Sequence, residues 1–178
     1  MITLRLVSPL ASGVDAVPVL AARRSSLEGA VIGLLANSKA NSSELLDVIA
    51  AELAMRHGTA GVVRVMKPHP SVPAADDALR ALAEQADVVI TAIGDCGSCS
   101  TCTMHDGLVL ERRGIATAVL LTEPFTPAGR AIAALDGVPD YEFAILPHPT
   151  AGLVGDELAA VARTATDVVE RLLLTTLA

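Results

Sequence analysis

The chain has no tryptophan, one tyrosine and two phenylalanines. It also lacks any excess of positive charge: 13 Lys and Arg stand against 20 Asp and Glu, a formal net charge of −7. A nucleic-acid surface needs basic residues for phosphates and, for single strands, aromatic faces for bases. Both shortages argue against nucleic acid as a partner. Long apolar runs are missing too. A helix crossing a bilayer takes about 20 predominantly apolar residues, and no stretch approaches that length although 52% of the residues are hydrophobic. The apolar part of the opening MITLRLVSPLASG is too short for a secretory signal. The expectation is a cytoplasmic protein, away from membranes, with its thiols reduced. Cysteine is scarce, and Cys96, Cys99 and Cys102 fall within one seven-residue span. An odd number so clustered is no disulfide framework. Lysine is scarcer still, at Lys39 and Lys67 only.

What is present reads as one α/β domain over residues 1–178, long enough to bury a core. Apolar, β-branched runs lie at 2–7, 30–36, 62–66, 87–93, 116–121 and 142–146. Their nearly continuous hydrophobicity suits strands covered on both faces, hence a mostly parallel sheet. Helical patterns fall between them, at 42–57, 74–85, 99–113 and 127–135, with a long amphipathic one at 155–177. The first is expected to start with a capping box of Asn41 and Glu44 and to stop at Gly58. Residues 8–29, with Arg23 and Arg24, are the least regular and read as a long loop or lid. The alternation predicts a doubly wound, mostly parallel sheet of five to six strands, a Rossmann-like three-layer sandwich. The apolar face of the last helix is available to its own sheet, or to a partner in a homo- or hetero-oligomer.

In open α/β sheets ligands bind outside the carboxyl ends of the strands. The residues following each predicted strand are therefore the candidates. They include Asn37, Lys39 and Asn41 in NSKAN, Lys67 and His69 in KPHP, and the thiols of GDCGSC. Glu123 and Phe125 follow in TEPF, and His148 in PHPT. Both lysines, three of the four histidines and every thiol converge on one edge.

Three readings of the thiols stay open at this point. Cys96 follows a strand and starts a helix, where unpaired N–H groups and the helix dipole stabilise a thiolate; Cys99 stands where it could resolve an oxidised partner. Alternatively Cys96, Cys99 and Cys102 supply thiolates to a metal, with His105 as a fourth ligand, which would suit a lyase or hydratase. Blandest, they pack as small hydrophobes. GLLANSKA has the spacing of a phosphate loop, but Ser38 and Ala40 replace its second glycine and its hydroxyl residue. Lys39 and Lys67 are instead expected to give positive potential for an anionic substrate, with Asn37 and Glu123 helping to bind it. His148 between two prolines is a candidate acid/base. Asp95, Ser98, Cys102 and His105 are possible supporting residues.

The stretch GDCGSCSTCTMHDGLVLERRGIATAVLLTEPF, with LLANSKANSSELLDVIAAEL and VMKP before it and LPHP after it, resembles the UGSC family. That family is named for a Sec/Cys-Gly-Ser-Cys motif, which here reads Cys96-Gly97-Ser98-Cys99. The resemblance implies redox or strongly nucleophilic chemistry at Cys96. A more distant similarity is to the selenoprotein B subunit of glycine, betaine and sarcosine reductases, through Glu111-Arg112-Arg113-Gly114-Ile115 and Pro147-His148-Pro149. Those enzymes attack a substrate carbon, expel an amine and leave a thio- or selenoether for another subunit. That similarity implies a small acid as substrate and a partner subunit. The resulting expectation is a thiol-dependent enzyme with Cys96 as nucleophile, Cys99 as resolving thiol and His148 as acid/base. It requires no cofactor. Its partners would be a small anionic substrate and a thiol reductant or partner subunit. The alternatives are a Cys-ligated metal lyase or hydratase and an accessory subunit of a larger enzyme.

Overall fold

The computed structural model describes residues 19–175. The candidate strand 2–7 and residues 8–18 of the candidate loop lie outside the described residues. Among the described residues five strands form the sheet: β1 (Val31–Ala36), β2 (Gly61–Met66), β3 (Val88–Gly94), β4 (Ala116–Thr122) and β5 (Ala144–Leu146). Five α-helices accompany them: α1 (Ser42–His57), α2 (Asp76–Gln85), α3 (Gly97–Arg112), α4 (Thr126–Leu135) and α5 (Asp156–Leu173). All strand pairings are parallel, in the order β2-β1-β3-β4-β5.

The apolar patterns explain this order. Every residue of β3 and β4 is buried, as interior strands covered on both faces require. β2, at one edge, exposes Arg64 and Met66. One face of the sheet carries α1 and α5. There Leu45, Ile49 and Leu53 share a core with Leu158, Ala162 and Val169, so the apolar face of α5 is taken up by its own sheet and α1. Arg56 joins the same two helices through Asp167 at 2.6 Å and Glu170 at 3.2 Å. The other face carries α2, α3 and α4, with Leu79 and Leu82 against Leu35 and Val89, and Met104 and Leu108 against Val119 and Leu121. At Gly107 a Cβ atom would stand 2.3 Å from Val119 Cγ2. The missing side chain lets α3 lie close on β4.

Three local expectations need correction. Asn41 caps α1 without a side-chain bond to it; it adopts φ 68°, and no capping box with Glu44 forms. Its amide donates instead to the carbonyls of Thr150 (3.0 Å) and Leu153 (2.7 Å), tying α1 to the loop after β5. The last helix ends at Leu173, because the chain then turns extended and Leu174 pairs with Arg24. Residues 19–29 are no lid over the carboxyl edge. They cross the amino end of the sheet, where Arg23 meets Glu111 (2.9 Å) and Arg24 meets Asp87 (3.0 Å).

Candidate functional site

From β1 the chain turns to β2 on one side, while β3 lies on the other. The connections from β1 and β3 leave toward opposite faces, so a crevice opens between the carboxyl ends of these two strands. Lys39 enters it from β1, and Asp95 and Cys96 from β3. Near its end β3 carries an extra residue. Thr91 pairs with Val119 and Gly94 with Leu121, three steps against two. Such a bulge re-aims the residues that follow it. Gly94 then permits a contact no other residue allows, since a Cβ there would lie 2.2 Å from Leu121 Cδ2 and 2.9 Å from Ser100 Cα. The first turn of α3 therefore sits directly on the strand end.

Cys96 is the N-cap of α3, its sulfur accepting the Cys99 N–H at 3.2 Å. The helix consequently starts at Gly97, two residues earlier than the sequence pattern suggests. Cys96 and Cys99 are joined as a disulfide, where reduced thiols were expected. The helical turn brings their Cα atoms to 5.2 Å, inside the range of about 4.4–6.8 Å that a disulfide spans. The pair is asymmetric: Cys96 is half-buried and Cys99 is 2% exposed. A hydroxyl lies against each sulfur, Ser98 Oγ at 3.7 Å from Cys96 and Ser71 Oγ at 3.9 Å from Cys99.

Asp95, one residue before the disulfide, is 6% exposed and holds Lys39 and His148. Its Oδ1 is 2.8 Å from His148 Nδ1, and its Oδ2 is 3.8 Å from Lys39 Nζ, which also donates to the Asp95 carbonyl at 3.2 Å. Thr122 Oγ1 is 3.2 Å from the same Nδ1, but its proton goes to the Gly94 carbonyl at 3.1 Å. Toward His148 both the hydroxyl and the carboxylate therefore accept. The ring hydrogen belongs on Nδ1, which leaves Nε2 as the acceptor nitrogen of the ring. Phe125 packs edge-on against the imidazole at 5.5 Å.

The model of the UGSC family matches residues 5–175. This chain belongs to the UGSC family. No curated protein matches it. In this UGSC chain the site thus joins Lys39, Asp95, Cys96, Ser98, Cys99 and His148, drawn from the ends of β1, β3 and β5.

Other expected residues do different work. Lys67 is no free cation in the crevice: its ammonium is buried and 2.6 Å from Asp106 Oδ2, with side chains 1% and 0% exposed. Asp106 Oδ1 also accepts the Ala74 N–H at 2.9 Å, so one carboxylate pins both ends of the loop 67–74 against α3. Asn37 is 1% exposed and spans strand ends, donating to the Ile93 carbonyl at 2.7 Å and accepting the Lys39 N–H at 3.3 Å. It frames the crevice and does not face it. Glu123 is exposed and opens the 3-10 turn that carries Phe125. His105 is half-buried on α3, with no hydrogen bond to the site among the described residues. Cys102 is free and buried. Burial pushes its thiol above the ordinary range, Lys67 opposes that shift and Asp106 adds to it. Cys96, Cys99 and Cys102 do not assemble as a ligand set. Among the described residues no three His, Cys, Asp or Glu side chains converge to hold a metal ion. The described residues also include no helix long and apolar enough to cross a membrane.

Sequence reasoning missed Ser71, Thr122 and the buried pairing of Asp106. Ser71 lies just past the KPHP segment and Thr122 directly before Glu123. Each sits within two residues of a position that drew attention, but a hydroxyl in a loop carries little signal of its own.

Proposed function

We propose that the chain is a thiol-dependent enzyme that reductively cleaves a carbon–heteroatom bond in a small anionic substrate. The asymmetric Cys96–Cys99 pair carries this reading. The accessible sulfur suits the attacking role and the buried one the resolving role. The Cys99 N–H at the start of α3 favours a thiolate on Cys96. Reduced Cys96 forms a bond to the substrate carbon as the carbon–heteroatom bond breaks, and the leaving group departs with the electron pair and a proton that His148 Nε2 has first taken up from water. Cys99 then attacks the Cys96 sulfur. The S–S bond forms, the S–C bond breaks toward carbon, and that carbon takes a second proton. The dithiol has given two electrons, and an external dithiol restores it. A carbonyl beside the reacting carbon is required, because it delocalises the departing pair. Lys39, only loosely paired with Asp95 at 3.8 Å and partly exposed, is the lysine open to a substrate carboxylate, whereas Lys67 is buried against Asp106.

Reduced protein treated with limiting iodoacetate tests the reading by peptide mass. Cys96 should be labelled first and Cys102 last, because burial keeps the Cys102 thiol protonated. Relative to a small free thiol, wild-type Cys96 should prefer iodoacetate over iodoacetamide, and Lys39→Ala, which removes the cation, should abolish that preference. Labelling of Cys99 or Cys102 as fast as Cys96 would sink the assignment of the nucleophile.

A further inference from the structure

Opening the Cys96–Cys99 bond places an electron pair on one of the two sulfurs. Nucleophiles reach Cys96 more readily, so the pair is left on Cys99, which is 2% exposed. A charge buried without a donor is costly, because nothing replaces the water it has lost. Cys96 already receives a backbone N–H. Against the Cys99 sulfur, the hydrogen-bonding side-chain atom among the described residues is Ser71 Oγ, at 3.9 Å. Ser98 Oγ donates to Ser71 Oγ at 2.9 Å, so the Ser71 hydrogen is free to turn toward sulfur. Ser98 itself is exposed. A path of two hydroxyls therefore runs from solvent to the buried sulfur.

The position of Ser71 is constrained from several directions. Its loop is held at Lys67 and Ala74 by Asp106. The Ser71 N–H donates to His69 Nδ1 at 3.1 Å. Pro68, Pro70 and Pro73 restrict the backbone between those anchors.

We infer that Ser98 and Ser71 form a proton relay for Cys99, an inference that rests on reading Cys96 and Cys99 as a working redox pair. During reduction, a thiolate of an external dithiol attacks the Cys96 sulfur and the S–S electron pair moves to Cys99. Cys99 takes the Ser71 proton, Ser71 takes the Ser98 proton, and water resupplies Ser98. The second thiolate of the reductant then displaces Cys96 and leaves as a cyclic disulfide. In the opposite direction the relay removes the Cys99 proton before Cys99 attacks. A hydrogen bond to an ionised sulfur is stronger and shorter than one to a disulfide, so the 3.9 Å contact should tighten as the bond opens.

The rate at which dithiothreitol reduces the full-length oxidised protein tests the relay, read by quenching, thiol labelling and mass. A positioned proton transfer contributes about 10²–10⁴-fold. Water entering the vacated space offsets part of that, so Ser71→Ala should reduce at least about tenfold more slowly. Ser71→Thr keeps the hydroxyl and should stay near the wild-type rate. Ser98→Ala should lose less than Ser71→Ala, because water can stand in at an exposed position. A misfolded variant would expose the disulfide and react faster, so slowing cannot arise from misfolding. Wild-type speed in Ser71→Ala, or equal slowing in Ser71→Thr, overturns the relay and leaves the thiol pair standing. A wild-type pair that neither forms a disulfide nor is reduced overturns both.

Discussion

Asp106→Asn is the sharpest test of how the site is supported. Lys67 and Asp106 are essentially inaccessible and 2.6 Å apart. The substitution keeps the shape and one acceptor but leaves the ammonium of Lys67 buried opposite a neutral amide. Removing one member of a buried ion pair costs about 3–5 kcal/mol, mostly the cost of the stranded charge. In a chain of this size each kcal/mol moves the melting midpoint by about 2–4 °C, so Tm should fall by about 6–20 °C. Lys67→Met should cost a similar amount, because it leaves the Asp106 carboxylate with the Ala74 N–H alone. The double variant Lys67→Met/Asp106→Asn strands no charge. It should therefore be more stable than additivity predicts, by about 2 kcal/mol or more. Urea unfolding of the four proteins at pH 7 measures each term. Single substitutions costing under about 1 kcal/mol, as surface pairs do, or strict additivity, would refute the buried pair.

Two further predictions concern single protons. With Nδ1 facing two acceptors, the ¹⁵N spectrum of His148 should show the Nδ1–H tautomer, and Thr122→Val with Asp95→Asn should abolish that preference. A dominant Nε2–H form in the wild type would contradict the assignment. Tyr141 donates to the Thr117 carbonyl at 2.6 Å and Glu111 at 3.3 Å, and burial, reinforced by Glu111, holds its phenol well above the ordinary value of 10.0. Its contribution is fully present below about pH 10 and is lost as pH rises beyond. Tyr141→Phe should cost about 1–3 kcal/mol at pH 7 and lose less than wild type between neutral pH and pH 11. Parallel alkaline losses in the two proteins would be the contrary result.

The elements legible in the sequence were those whose cause is local. The apolar runs of β1, β3 and β4 announce strands covered on both faces, and Gly58 stops α1 in a left-handed conformation, φ 66°. Elements whose ends depend on distant partners were misjudged. Asn41 looked like a capping residue until two carbonyls of the loop after β5 claimed its amide, and Leu174 left its helix to pair with Arg24. Within the site, Cys96, Cys99 and His148 were visible as scarce residue types at strand ends. Asp95 was visible only as a neighbour of the thiols, although it links Lys39 to His148.

By itself the sequence determined a parallel α/β sheet, the edge where the thiols, Lys39 and His148 gather and the placing of Cys96 at a helix start. Periodicity and strand-end position are properties of neighbouring residues, so they need no knowledge of distant parts of the chain. Tertiary structure decided which charges are free and which sulfur is reachable. Lys39 and Lys67 both follow strands and look alike in sequence. Asp95 leaves Lys39 partly exposed, whereas Asp106 draws Lys67 beneath α3 and neutralises it. The same packing buries Cys99, leaves Cys96 accessible and brings Ser71 across from another strand end. The energy of a charge or a thiolate depends on the partners and water around it, and only the folded chain specifies those.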